Sequence, residues 1–258
     1  LAAVALSTTT LRIGTLTLDN DFRHPALVAG DAATLDLLSD GRFELGLGAG
    51  WMQMDYDRAG IPFDPPAMRV DRLIESVRII RSLFGQTPMT FSGEHYTIAD
   101  LPGFPTPVQR PHPPILIGAG GRRMAAFAAR EADIVSLVAR LSAPNTLSLA
   151  DLSPAIVDEK IAWVREAAGE RFDALELHIL IQRVIVTDDR DGAAASLGAD
   201  WGIPVDVALA SPYLLIGTVE EIADAVRAHR ERFGFSYLTV FERDMDVFAP
   251  VVARLAGK

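Results

Sequence analysis

Cysteine is absent from the 258 residues, so no disulfide, thiolate zinc site or cysteine nucleophile is available. That composition suits a reducing compartment, and a cytoplasmic location is expected. Basic residues are in the minority, 24 Lys and Arg against 34 Asp and Glu. The resulting net charge of −10 argues against a nucleic-acid partner, because phosphate backbones are bound by basic surfaces. No apolar run approaches the roughly 20 residues that span a bilayer, so a soluble protein without membrane association is expected. Leu1 to Thr10 are apolar but lack a basic n-region and end in Ser-Thr-Thr-Thr, which reads as the last turns of a helix rather than a signal peptide. Chemistry-bearing motifs are scarce too. There is no Gly-x-Ser-x-Gly elbow and no Gly-Lys-Ser/Thr phosphate loop, and no histidine stands at metal-ligand spacing from another His or a carboxylate pair. Hydrolase, kinase and metalloenzyme readings have little to stand on.

What is there is an alternation of strand-like and helix-like runs. Leu11 to Leu18 is rich in β-formers, and His24-Pro25 opens a helical pattern in which Leu27, Val28, Ala32, Leu35 and Leu38 recur, ended by Asp40-Gly41. Arg42 to Leu47 reads as a short strand. Pro65-Pro66 precede a long amphipathic helix with Val70, Leu73, Ile74, Val77, Ile80 and Leu83 on one face, stopped by Gly85. Residues 88–98 alternate around Ser92-Gly93 and predict a small hairpin, and the proline-rich stretch 101–114 predicts an extended loop. Further strands are expected at 115–118, 133–137, 175–186 and 236–241, with helices at 122–130, 153–168, from Asp188, at 218–233 and at 244–255. Ser153-Pro154 is a good helix start, as is Thr218 followed by Glu220 and Glu221. The alternation runs without a composition break or linker. It implies an α/β fold, a parallel sheet covered by helices, with six core strands where a closed barrel of this class needs eight.

In parallel α/β folds the site lies at the carboxyl ends of the strands, and four such ends carry informative residues. After the first strand, Asn20 and Asp21 sit in a polar turn and suit a plain βα connection as well as a ligand contact. In Phe43-Glu44-Leu45-Gly46-Leu47-Gly48-Ala49-Gly50-Trp51 one strand face is large and apolar and the other nearly bare. A bare face lets a flat ring or a neighbouring backbone come close. Ile117-Gly118-Ala119-Gly120-Gly121-Arg122-Arg123 combines a strand, a Gly-rich turn and a helix start. Its backbone N–H groups can cradle a phosphate, helped by the two arginines, or the turn is simply tight and the arginines solvated. In the fourth, Glu176, His178, Leu180 and Gln182 alternate with Leu175, Leu177, Ile179 and Ile181, which sets His178 and Gln182 on the inner face. Gln182, nearer the strand end, can reach a ligand, whereas His178 reads better as a hydrogen-bonded core residue than as a catalyst. His95 in the hairpin, His112 in the loop and His229 on a helix surface carry less.

Together these segments resemble the luciferase-like monooxygenase superfamily, in particular its actinobacterial coenzyme F420-dependent branch. The similarity rests on Leu11-Arg-Ile-Gly-Thr15, Asp21-Phe-Arg-His-Pro25, Ala32-Ala-Thr-Leu-Asp36, Ser39-Asp-Gly-Arg-Phe-Glu-Leu-Gly-Leu-Gly-Ala-Gly-Trp51, Pro114-Ile-Leu-Ile-Gly-Ala-Gly-Gly121, Ala132-Asp-Ile-Val135 and Gly217-Thr-Val-Glu-Glu221, in family order over nearly the whole chain. The resemblance implies a (β/α)8 TIM barrel with the cofactor ring at the carboxyl end of the strands. It also implies a non-prolyl cis peptide around Leu16-Thr17, a phosphate loop at Gly120-Gly121, and a loop beside ring and substrate from Gly48 to Trp51. In these terms Leu16, Thr17, Gly48, Gly118, Gly120, Gly121 and Arg122 bind the cofactor, while Asn20, Trp51 and Gln182 border the substrate.

The function so implied is hydride transfer between F420 and a small organic substrate. FMN shares the same ring-and-phosphate footprint, so an FMN-dependent monooxygenase is the alternative, and a non-catalytic cofactor-binding relative is a second. No residue stands out as a catalytic acid, and no metal is expected. Trp51 occupies the position where the family's deazaflavin sugar-phosphate dehydrogenases carry a catalytic glutamate, so the chain does not look like one of those. The first residue is Leu1 rather than Met, and two βα units of the family pattern are expected to be missing before it. Residues 1–258 would then form one barrel domain holding strands three to eight, with a small inserted hairpin and loop at about 86–113. A homodimer is expected by analogy with relatives.

Overall fold

The computed structural model describes residues 1–85, 87–143 and 146–256; Gln86, where the expected insertion begins, lies outside them. By its internal contacts the chain forms two units, residues 1–118 with 127–134 and residues 119–126 with 135–258. In chain order the first unit holds helix α1 (Ala2–Ser7), strands β1 (Ile13–Gly14) and β2 (Leu18–Asp19), helix α2 (Pro25–Leu38) and strand β3 (Phe43–Gly48). Helices α3 (Gln53–Ala59) and α4 (Pro66–Leu83), hairpin strands β4 (Met89–Ser92) and β5 (Thr97–Leu101), and strand β6 (Ile115–Ala119) follow. The boundary between the units falls within β6, within helix α5 (Arg122–Glu131) and again after Ile134.

The strand expected at 11–18 is interrupted. β1 and β2 each pair in parallel with β3, Ile13 opposite Phe43 and Leu18 opposite Leu47. Between them the Thr15 hydroxyl accepts the Gly46 N–H and donates to the Gly46 carbonyl, both at 2.9 Å, in place of the backbone ladder. β3 pairs with β6, Leu45 opposite Ile115. Phe43, Leu45, Leu47, Ile115 and Ile117 are buried, as strands covered on both faces must be. Each such side chain contributes about 1.5–3 kcal/mol of transfer free energy.

Helix α2 turns a different face inward from the one its leucines suggest. Val28, Ala29, Ala32, Ala33 and Asp36 are buried, while Leu27 and Leu38 are 60% and 40% exposed. The small residues let the helix lie close to α4. Asp36, within that stripe, accepts the backbone N–H groups of Val108 and Gln109 and the Gln109 amide, which pins the proline-rich loop. On α4, Leu73, Val77, Ile80 and Leu83 are buried as expected, joined by Arg69, Ser76 and Ile79. The predicted hairpin is present as antiparallel β4–β5, and Glu75 of α4 binds its turn through the N–H groups of Glu94, His95 and Tyr96.

The second unit runs through β7 (Ile134–Leu137), β8 (Leu141–Ala143), β9 (Thr146–Leu147), α6 (Pro154–Ala168), β10 (Glu176–Leu180) and β11 (Arg183–Val186). It continues with α7 (Arg190–Trp201), α8 (Val205–Ala210), β12 (Leu214–Gly217), α9 (Val219–Phe233), β13 (Phe235–Thr239) and α10 (Glu242–Leu255). The side chains of Ser153 and Thr218 cap α6 and α9, the latter in a full capping box with Glu221. Asp189, one residue beyond the expected start, caps α7.

Two expectations fail here for one reason. The run 175–186 is not one strand: β10 pairs with β13, whereas β11 pairs with β12, a strand the sequence did not reveal. The chain changes partners at Ile181-Gln182, where Ile181 N–H bonds Thr239 O and Gln182 N–H bonds Tyr213 O, both at 2.8 Å. Among the described residues no helix is long and apolar enough to cross a membrane.

Candidate active site

In the first unit β2, the end of β3 and the C-terminal part of α3 converge on a cavity of about 620 Å³. Thr17, Leu18, Asp19, Asn20, Leu47 and Arg58 are among its lining residues, all of which belong to this unit. The Leu16–Thr17 peptide is cis, as the resemblance implied. Leu16 is exposed, Thr17 faces the cavity, and Asn20 is buried with its amide donating to the Tyr96 hydroxyl at 3.3 Å. The bare face of β3 is taken up by the chain itself. A Cβ at Gly46 would collide with the Thr15 carbonyl, and one at Gly48 would lie 2.7 Å from Thr17 Oγ1. Of the two explanations the glycines allowed, close backbone approach is the one realised at Gly46. Trp51, just beyond, is 43% exposed and is not part of the cavity wall.

Behind the cavity lies a cluster that the sequence did not reveal. Asp19 Oδ1 accepts the Tyr56 hydroxyl at 2.7 Å and the Asp21 N–H at 3.1 Å. The same hydroxyl lies 3.1 Å from Asp21 Oδ2. Arg72 holds Asp21 through Nε at 3.1 Å and Nη2 at 3.1 Å, and reaches Asp64 at 2.7 Å. Tyr56 is fully buried between Phe22 and Phe63, both edge-on to it. Gly50 has a left-handed φ of 74°, and a Cβ there would run into Tyr56 Oη and Asp19 Oδ2. Burial pushes the Asp19 carboxyl above the usual carboxylate value, more than its bonds to Tyr56 and the Asp21 amide pull it down. Burial and the hydrogen bond to Asp19 push the Tyr56 hydroxyl up, so it keeps its proton.

The Gly-rich turn leads from β6 into α5. Gly118 and Gly121 have ordinary φ, and a Cβ on either would meet nothing within 4 Å. Neither conformation nor packing of the chain therefore calls for glycine there; open space beside backbone N–H groups at a helix start is what an anionic group requires. At Gly120 a Cβ would make ordinary contact with Val138 at 3.5 Å. Arg122 is turned to exposed Glu166 at 3.0 Å.

In the second unit Gln182 is half-buried and its amide donates to Leu180 O at 3.2 Å. His178 is fully buried and shares hydrogen bonds with Ser136 and Thr239, both at 2.8 Å. Burial lowers it to about 4, so it is a neutral core residue. His229 is not on the surface as expected: it is half-buried, lowered to about 4 by burial and by Arg232. A second buried cluster joins Asp151 to Lys160 Nζ at 2.7 Å and to Arg140 through Nε and Nη2. Among the described residues no group of three or more His, Asp or Glu side chains could hold a metal ion.

A family model described as luciferase-like monooxygenase matches residues 1–202. The F420-dependent glucose-6-phosphate dehydrogenase of Amycolatopsis mediterranei is 36% identical over 132 residues, 51% of this chain and 39% of that protein. The F420-dependent hydroxymycolic acid dehydrogenase of Mycobacterium tuberculosis is 30% identical over 249 residues, 87% of this chain and 66% of that protein. The chain thus spans less than two thirds of either relative. Among solved structures, an F420-dependent secondary alcohol dehydrogenase in complex with an F420-acetone adduct superposes with a TM-score of 0.73 at 21% identity, covering 97% of this chain and 81% of that one. The fold is that of the luciferase-like α/β barrels.

Proposed function

The chain belongs to the luciferase-like monooxygenase family, and on that premise we propose that it serves as an oxidoreductase moving hydride between coenzyme F420 and a small alcohol or carbonyl compound. What carries this reading is the similarity to relatives named as F420-dependent dehydrogenases, one of them over 87% of the chain. The likeness in fold to a secondary alcohol dehydrogenase that holds an F420-acetone adduct supports the substrate class, and a cavity of about 620 Å³ is of small-molecule size.

In this reading Leu16, Thr17 and Gly48 attend the ring, Gly118, Gly120, Gly121 and Arg122 the phosphate side, and Asn20, Trp51 and Gln182 the substrate. The open space at Gly118 and Gly121 fits a phosphate-bearing cofactor. Arg122 would have to leave Glu166 to contribute, which a phosphate can bring about because an exposed ion pair is worth only about 0–1 kcal/mol. When bound, the deazaflavin supplies the two-electron chemistry, and the protein binds, orients and handles protons. A homodimer and a cytoplasmic location belong to the same reading.

Absorbance and fluorescence titration of the purified chain with F420 and with FMN tests it. Saturable binding of F420 is expected, and a chain that binds neither cofactor sinks the proposal. The monooxygenase family match favours FMN as the second candidate; protein that purifies yellow would move the assignment to an FMN-dependent monooxygenase.

A further inference from the structure

Two carboxyl groups and one hydroxyl meet at the back of the cavity, and their protons can be counted. Tyr56 Oη lies 2.7 Å from Asp19 Oδ1 and 3.1 Å from Asp21 Oδ2, yet it has one proton to donate. With both acids ionised, one of these contacts sets oxygen lone pairs against each other. A second proton resolves the conflict, and the surroundings decide where it goes. The Asp21 side chain is 3% exposed and makes two contacts to the Arg72 guanidinium, so a cation already balances it. Asp19 makes no ion pair among the described residues. The other charged groups around it are Arg69 and Arg72 on α4, and Arg23, Asp55 and Arg58 on the same cavity wall.

Arg69 is committed to the carbonyls of Ala49, Gly50 and Asp64, and Arg23 to Asp31. The proton therefore belongs to Asp19. Its Oδ1 is anchored by Tyr56 and the Asp21 amide, while no described group hydrogen-bonds Oδ2. Asp19 itself lines the cavity. Paired acids whose environments push them apart are how acid and base roles are divided in active sites.

We propose that Asp19 is the catalytic acid–base residue of this cavity, exchanging a proton with the substrate oxygen while hydride passes between the substrate carbon and the cofactor. The inference rests on the oxidoreductase reading above. In the oxidation direction the Asp19 carboxylate would take the hydroxyl proton of the alcohol as the carbonyl double bond forms, and the bound oxidised deazaflavin would supply the acceptor for the carbinol hydride. The products would be a ketone or aldehyde, the reduced cofactor and protonated Asp19, which would return its proton to water. Carbonyl reduction reverses each step. Tyr56 and Asp21 are positioning residues: they fix Oδ1 and leave the carboxyl free to turn its other oxygen to the substrate.

The test combines a titration with a rate measurement. In protein labelled with 13C at the aspartate carboxyls, the resonance absent from the Asp19→Asn variant should titrate above the ordinary aspartate range, with or without cofactor. Titration within or below that range overturns the proposal. In single-turnover reactions with F420 and 2-propanol, wild-type oxidation should fall as pH drops through that titration. Asp19→Asn should lose that limb and about 100-fold or more in rate, and Asp19→Glu should recover part of it. F420 affinity should hold in both variants, and both should unfold cooperatively in urea. A wild-type protein that binds and reduces F420 while Asp19→Asn stays within twofold overturns this inference alone. If wild type binds no cofactor, the functional reading fails and takes the catalytic role with it.

Discussion

Asp19 in the first unit is half-buried and Asp151 in the second fully buried, and their surroundings drive the two carboxyls in opposite directions. Burial alone raises both. At Asp151 that effect is overcome by hydrogen bonds from Arg140 and Lys160, which hold the carboxyl well below the usual range. One anion there faces two cations. Around Asp19 the balance is reversed: Asp21 and Asp64 share Arg72, and Asp19 is left with a hydroxyl and an amide. The Asp151 cluster is closed, with carboxylate and ammonium both fully buried and Lys160 also donating to Val138 O at 2.6 Å. The Asp19 cluster opens on a cavity. A saturated buried ion pair is a structural device, whereas an under-compensated acid at a cavity wall is a chemical one.

The sharpest way to break this contrast is to remove each acid. Asp151→Ala leaves the Lys160 ammonium buried without its carboxylate and should cost about 3–5 kcal/mol in urea denaturation. Asp19→Asn keeps an acceptor for Tyr56 and should change stability by no more than about 1 kcal/mol. Comparable losses from the two variants would show that both clusters serve the fold.

Glycines offer the next comparison. At Gly46 the chain needs the missing Cβ for itself, so Gly46→Ala should lose about 1–3 kcal/mol by overpacking against the Thr15 carbonyl. At Gly121 a Cβ meets nothing, so Gly121→Ala should stay within about 0.5 kcal/mol. If that turn cradles the phosphate side, the same substitution weakens cofactor binding. Urea midpoints and a cofactor titration on both variants read the two effects separately.

How far the sequence reached follows the same division. Strands β6 and β7 were legible because chain buried on both faces is written in nearly continuous apolar residues, β3 because large apolar residues alternate with glycine along it, and the caps at Ser153 and Thr218 because they act within three residues of themselves. The change of partner at Ile181-Gln182 left no mark: no turn residue accompanies it, since it depends on where β12 and β13 lie. At the candidate site, Asn20 and Asp21 were visible as a polar turn, but Asp19 was not singled out. Its meaning comes from Tyr56, 37 residues on, and from Arg72, 51 residues beyond Asp21. The one local signal was the acidic run Asp19-Asn20-Asp21 directly after a strand.

The two acids should also separate in the pH dependence of stability. Native Asp151 binds its proton less tightly than in the unfolded chain, so its contribution is complete above the ordinary carboxylate pKa of about 4 and is lost as pH falls below it. Native Asp19 binds its proton more tightly, so stability declines as pH rises from that value through the native one. Urea midpoints across this range should show Asp19→Asn gaining on wild type as pH rises. A constant difference would mean that Asp19 titrates normally.

The smallest effect is expected at a second tyrosine. Tyr213 is buried like Tyr56, but its hydroxyl has no hydrogen-bond partner among the described residues. Burial pushes that hydroxyl up, and the Asp151 charge adds to the effect. A buried donor without an acceptor has already lost its water and gained nothing in return, so Tyr213→Phe should be neutral or stabilising by up to about 1 kcal/mol. Tyr56→Phe removes the donor that anchors Asp19 and should cost about 1–3 kcal/mol. Thermal denaturation of the pair decides whether the hydroxyl of Tyr56 is kept for what it holds; equal effects would mean that neither cluster distinguishes a tyrosine from a phenylalanine.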